Sequence, residues 1–113
     1  MTYSIEKITT LLGARRYGTK ESNIAFLLTD SRSLSFPEET LFFALRSERN
    51  DGHNYIDDLY RRGVRNFVVE TTNGISDYSD ANFLVVPSTL AALQRLAERH
   101  RDEFDIPVIG ITG

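Results

Sequence analysis

Cysteine is absent from this 113-residue chain, and histidine occurs twice, as His53 and His100. Without thiols there is no disulfide framework, no thiol nucleophile and no thiolate zinc site. Two distant histidines with scattered carboxylates assemble no convincing metal set, so no metal ligands are assigned. The same lack of cysteine makes a cytoplasmic setting the expectation. Long apolar runs are missing too: unbroken stretches reach five residues, as at Ile24–Leu28, which is far short of a membrane span. The opening residues Met1–Lys7 lack the apolar core of a signal peptide, so none is expected. Positive charge is in short supply, with 13 basic against 16 acidic residues and a net charge of −3. There is no overall basic field to displace counterions, and nucleic acid is not expected as a partner.

What is present is ordinary globular material: 41% hydrophobic and 26% charged residues, which argues against disorder. A chain of this mass should leave about 6,300 Å² exposed out of about 18,700 Å² when extended, enough burial for one modest core. The acidity lies in the second half, so residues 1–56 are electrically neutral and less hostile to an anion. Only Lys7 and Lys20 among the basic residues are lysines. Arginine suits forked recognition of phosphate or carboxylate, although genome-wide arginine usage is the better explanation of the bias.

Ile5, Ile8, Leu11 and Leu12 follow helical spacing behind a Ser4 cap and end at Gly13, predicting a helix over about 4–12. Ile24–Thr29 reads as a buried strand that delivers the polar cluster Asp30-Ser31-Arg32-Ser33, and Leu41–Leu45 reads as a second strand. Asp51-Gly52 then predicts a turn into a helix bearing Ile56, Leu59 and Tyr60 on one face, capped at Gly63. Asn66–Glu70 and Phe83–Val86 resume strand character, separated by a polar loop. Ser88 starts a helix whose buried stripe is Leu90, Leu93, Leu96 and Ala97. The fold class is therefore α/β: a small mixed or mostly parallel sheet with flanking helices and a βαβ unit. The chain closes on Val108-Ile109-Gly110-Ile111-Thr112-Gly113, an apolar strand entering a glycine turn, as expected of a piece of a longer protein.

Three clusters carry chemistry. Thr29-Asp30-Ser31-Arg32, at the carboxyl end of a strand, supplies hydroxyls, a carboxylate and a guanidinium where α/β sheets commonly hold ligands. Local chemistry alone favours a plain turn there, with Arg32 paired to Asp30. Asn50-Asp51-Gly52-His53 sets a carboxylate beside an imidazole, yet reads first as a turn in which Asp51 or Asn54 caps a helix. Gly110-Ile111-Thr112-Gly113 begins as a phosphate-cradling loop begins, but no Gly-Lys-Ser/Thr follows within the chain.

In order and spacing, Leu28-Thr29-Asp30-Ser31-Arg32, then Thr40-Leu41-Phe42-Phe43-Ala44-Leu45-Arg46-Ser47-Glu48-Arg49-Asn50-Asp51-Gly52-His53, then Gly63-Val64, then Ile109-Gly110-Ile111-Thr112-Gly113 resemble the Mur ligases. The likeness spans about residues 22–113 and is strongest to the branch that adds D-alanyl-D-alanine, including the form fused to an alanine racemase. It implies the N-terminal, UDP-recognising domain (1–87) of an ATP-dependent amide ligase of peptidoglycan synthesis, with 88–113 leading into the central domain. It implies UDP-N-acetylmuramoyl-tripeptide as ligand and central and C-terminal ligase domains as partners. It also implies ATP and magnesium in the parent enzyme, with neither a cofactor nor a catalytic residue in this stretch.

The resemblance assigns uridine-side contacts to Thr29, Ser31, Glu48, Arg49 and Asn50, and lets Arg49 or Arg32 face phosphate. Asp51 and Gly52 would shape the loop, and Gly110, Thr112 and Gly113 would open the ATP phosphate loop. It reverses the plain-turn reading for Thr29 and Ser31. The sequence departs from common members at Ser33–Thr40, where many carry a Pro-Gly-Asp turn, which leaves the turn geometry open. The competing reading is a non-catalytic α/β module whose polar loops meet protein. Two geometric expectations follow: the Thr29–Ser31 and Ser47–Asn50 loops share one rim of the sheet, and the 108–112 strand docks on its own domain or on another copy.

Overall fold

The structure is a computed structural model that describes residues 3–47 and 51–100. Its elements are β1 (Tyr3–Ser4), α1 (Ile5–Leu12), β2 (Arg15–Tyr17), β3 (Asn23–Ile24), β4 (Phe26–Leu28), β5 (Thr40–Phe43), α2 (Ile56–Arg61), β6 (Asn66–Val69), β7 (Asn82–Val85) and α3 (Thr89–His100). Five strands form the main sheet in the order β2-β7-β6-β5-β4, and β1 pairs with β3 in a separate two-stranded ribbon. All neighbours in the main sheet are parallel except β2, which runs antiparallel to β7.

Alternation along the strands sends side chains to two cores. Leu27, Leu41, Phe43, Val68 and Leu84 pack under Ile5 and Ile8 of α1 and Leu93 and Leu96 of α3. Leu28, Phe42, Phe67, Val69 and Phe83 pack under Ile56 and Leu59 of α2. The result is a three-layer sandwich in which the parallel strands are covered on both faces, as β5 and β6 show by being buried throughout, apolar after a single polar residue at each start. α3 thus shares a core with α1 and the sheet.

The helix ends obey the local chemistry. Ser4 Oγ accepts the Lys7 N–H at 3.1 Å, and Ser88 Oγ accepts that of Ala91 at 3.2 Å. Gly63 takes φ +108°, a conformation other residues rarely adopt, while its N–H donates to the Tyr60 carbonyl and closes α2.

Three points differ from expectation, the first being that Leu90, expected in the buried stripe of α3, is exposed. The strand expected over Ile24–Thr29 is divided into β3 and β4, with the Ala25 N–H leaving the ladder to donate to the Glu39 carbonyl. β2 was not expected at all, because Arg15-Arg16-Tyr17 is a largely exposed edge strand with no apolar run to reveal it.

Candidate functional site

β4 and β5 are adjacent and parallel, with Leu28 opposite Phe42, so their carboxyl ends open on the same rim. Parallel neighbours usually need a crossover of a dozen or more residues. Here residues 29–39 suffice, because two 3-10 turns, Ser31–Ser33 and Pro37–Glu39, fold the segment back without a helix. Pro37 opens the second of these turns, and Thr40 Oγ1 donates to the Phe36 carbonyl at 2.6 Å, setting the geometry that the missing Pro-Gly-Asp turn had left open. No further strand intervenes between β4 and β5.

Thr29 and Ser31, both half-buried, leave β4 on this rim. Asp30 Oδ1 accepts the Arg32 N–H at 2.9 Å and so starts the first 3-10 turn. Arg32 then forks back onto the same carboxylate, with Nη2 at 2.8 Å from Oδ2 and Nε at 3.1 and 3.2 Å from the two oxygens. Hydrogen bonding from the Arg32 side chain is the main reason the Asp30 carboxyl is held below the usual aspartate range. Arg32 is nevertheless 87% exposed, so the pair is a surface contact of small energetic worth. The Ser31 carbonyl accepts from Arg62 Nη1 at 2.8 Å, which pins the turn to the end of α2.

The second loop leaves β5 through a tight turn in which Leu45 N–H donates to the Phe43 carbonyl, and it closes on itself at an antiparallel bridge between Arg46 and Asp51. Gly52 N–H donates to the Leu45 carbonyl at 2.6 Å. A Cβ at Gly52 would lie 2.7 Å from Leu45 N and 2.8 Å from Ala44 Cα, so only glycine lets the two arms touch. The base is thereby fixed on the rim shared with Thr29 and Ser31, and Ser47 is exposed beyond it. Glu48, Arg49 and Asn50 lie outside the described residues, as do Gly110, Thr112 and Gly113 and the 108–112 strand.

Asp51 caps the short 3-10 turn Gly52–Tyr55 by accepting the His53 N–H at 3.0 Å. His53 Nε2 accepts the Glu70 backbone N–H at 3.0 Å, which places the ring proton on Nδ1, where it donates to Asp51 Oδ1 at 2.6 Å. Partial burial opposes ionisation of Asp51, yet the His53 amide, the His53 ring and Arg46 together hold its carboxyl below the usual range. Glu70 Oε2 accepts the Thr89 N–H at 2.8 Å, and Arg46 Nη1 lies 3.7 Å from Glu70 Oε1. The sequence reading of Asp51 as a turn-former is right for the described part. It set His53 beside Asp51 but missed Glu70 and Thr89, which local spacing does not connect; the one available signal was a charged residue ending the apolar run Phe67-Val68-Val69.

A cavity of about 190 Å³ adjoins this network between α2 and the 71–78 loop, with Ile56, Val69, Ile75 and Phe83 among its walls. Its lining carries no lysine, arginine or carboxylate, and both ring nitrogens of His53 are already engaged, so it offers a phosphate no cation. Among the described residues no group of three or more His, Asp or Glu side chains could hold a metal ion. They therefore offer no carboxylate cluster that fits magnesium. No described helix is long and apolar enough to cross a membrane.

The family model "Mur ligase family, catalytic domain" matches residues 23–101. A UDP-N-acetylmuramoyl-tripeptide--D-alanyl-D-alanine ligase of Synechocystis sp. is 38% identical over 96 residues, covering 84% of this chain and 20% of that protein. The ligase of the same name from Bacillus subtilis is 34% identical over 85 residues, 75% of this chain and 18% of its own length. The chain thus spans about a fifth of the curated relatives it matches. The solved UDP-N-acetylmuramoylalanyl-D-glutamyl-2,6-diaminopimelate--D-alanyl-D-alanyl ligase of Acinetobacter baumannii superposes with a TM-score of 0.76 at 24% identity, over 90% of this chain and 22% of that one, and shows the shared fold. With well over half of its residues inside the family model, the chain belongs to the Mur ligase family.

Proposed function

We propose that this chain is the N-terminal substrate-binding domain of an ATP-dependent ligase that adds D-alanyl-D-alanine to UDP-N-acetylmuramoyl-tripeptide, and that it recognises the UDP moiety. The observation that carries the reading is the parallel pairing of β4 with β5, which opens the Thr29–Ser31 turn and the base of the 46–51 loop on one rim. Ligands of open α/β sheets sit outside the carboxyl ends of strands. Thr29 and Ser31 offer hydroxyls for uracil edges or ribose, while Glu48, Arg49 and Asn50 supply a carboxylate, a guanidinium and an amide. Arg32, already forked onto Asp30, would meet phosphate only by leaving that carboxylate.

Residues 1–87 form the recognition unit and 88–113 lead toward a central domain that supplies ATP, magnesium and the acyl-transfer chemistry. Gly110, Thr112 and Gly113 would begin its phosphate loop. The rim donors of one domain cover only part of the nucleotide, so the isolated chain binds UDP weakly, with Kd on the order of 1 mM. Calorimetric titration with UDP and with ADP tests the reading. Saturable UDP binding several-fold tighter than ADP supports it, and equal or absent binding of the two overturns it.

A further inference from the structure

The hydroxyl of Thr89 is 45 residues away from Ala44 in sequence, yet Oγ1 lies 2.9 Å from the Ala44 carbonyl in a buried contact. Ala44 is the root of the 46–51 loop, the segment against which Gly52 packs. Thr89 itself is only 1% exposed. Its N–H and hydroxyl also reach Glu70 Oε2, at 2.8 and 3.1 Å. Glu70 faces both arms of the loop: its backbone N–H donates to His53 Nε2 beyond the Asp51 arm, and its Oε1 lies 3.7 Å from Arg46 Nη1 on the Ala44 arm. His53 in turn holds Asp51, the partner of Arg46 across the base. The loop is therefore gripped at both arms by one pair of residues, one ending β6 and the other opening α3.

We infer that Glu70 and Thr89 are positioning residues for the 46–51 loop, and that they tie its base to the first turn of α3. Neither residue has been assigned a role by the binding reading, and neither stands on the loop. The arrangement makes the loop base and the helix start a single mechanical unit: a displaced α3 start withdraws the hydroxyl and the N–H donors that seat the Ala44 carbonyl and the Glu70 carboxylate. The geometry of the loop base and the placement of the α3 start are therefore coupled. Its consequence for UDP affinity rests on the proposed nucleotide reading; the coupling itself does not.

The test uses the ¹⁵N-labelled 113-residue chain with Thr89→Val, which keeps size and the backbone N–H but removes the hydroxyl, and Thr89→Ser, which restores it. Leu96→Val, in the buried stripe of α3, serves as the control for general loosening. The expected result is that T89V moves the amide resonances of Arg46, Asp51 and Gly52 and weakens UDP binding about fivefold. T89S should return both, and L96V should move neither. Unchanged loop resonances in a folded T89V, or equal shifts in L96V, overturn the inference. If wild-type chain binds no UDP, the nucleotide reading fails and the resonances alone decide the coupling. If T89V does not fold, hydrogen exchange on the wild type decides: the Gly52, Glu70 and Thr89 amides should open together, and widely separate opening energies contradict it.

Discussion

Asn82 Nδ2 donates to Asn66 Oδ1 at 2.9 Å, and the two amides are fully buried at the paired starts of β7 and β6. Asn82 also donates to the Lys20 carbonyl at 2.8 Å and accepts from Arg16 Nη2 at 3.2 Å. The pair knits the 18–20 segment and edge strand β2 to the amino-terminal rim, opposite the candidate site. The aromatic residues that follow, Phe67 and Phe83, stack with centroids 5.1 Å apart, so the register is fixed by a polar and an apolar contact in succession.

Truncating this link should be costly. Asn82→Ala leaves the Asn66 oxygen without its donor and the Lys20 carbonyl with Arg16 Nη2 alone, and an unsatisfied buried group costs about 1–3 kcal/mol. We expect a loss of about 2 kcal/mol, or about 10 °C in Tm, by thermal or urea unfolding. A loss below about 0.5 kcal/mol, within the range of ordinary surface substitutions, would show that water replaces the amide without penalty.

Gly52→Ala should disturb the loop base more than the core. The added Cβ meets backbone atoms of Ala44 and Leu45 at under 3 Å, so one arm must move. Overpacking of this kind costs about 1–3 kcal/mol. The expected signature is a destabilised domain whose largest resonance changes fall at Leu45, Arg46 and His53. Wild-type stability and spectrum in the variant would contradict the close contact.

The pH dependence follows from Asp51, whose folded-state pKa lies below the ordinary value of 3.8. For a depressed carboxyl the stabilisation is present above its unfolded pKa and is lost as pH falls through the folded one. The Asp51 contribution to loop anchoring should thus be in place above its unfolded pKa and be lost as pH falls below about 4. Following the Asp51 carboxyl resonance against pH should give a midpoint under 3.8, and Asp51→Asn should flatten the acid limb of loop stability. A midpoint above 4 would contradict the hydrogen bonds assigned to His53.

Much of this architecture is legible in the residues because burial and period agree locally. Ile5, Ile8 and Leu12 behind Ser4 mark α1, and the apolar runs ending in Asp30, Arg46 and Glu70 mark three parallel strands. β2 is illegible because an exposed edge strand needs no apolar residues: Arg16 is held by Asn82, a contact across 66 positions. The short crossover from Leu28 to Thr40 resists reading for a related reason, since length alone argues for a helix or an antiparallel return, and the answer depends on two turns stacked beside α2. At the site, Thr29, Ser31 and Asp51 are visible as turn chemistry. Glu70 and Thr89 are not, because their importance arises where three strand and helix ends meet in space.

The central claim is that the rim holding Thr29–Ser31 and the 46–51 loop is where UDP binds, and chemical-shift mapping tests it most directly. Titrating UDP into the ¹⁵N-labelled chain should perturb residues 29–32 and 47–51 first and most strongly. Perturbation centred on Asn66 and Asn82 at the opposite rim, on Ile75 and Tyr78 beside the apolar cavity, or nowhere at about 10 mM UDP, would contradict it.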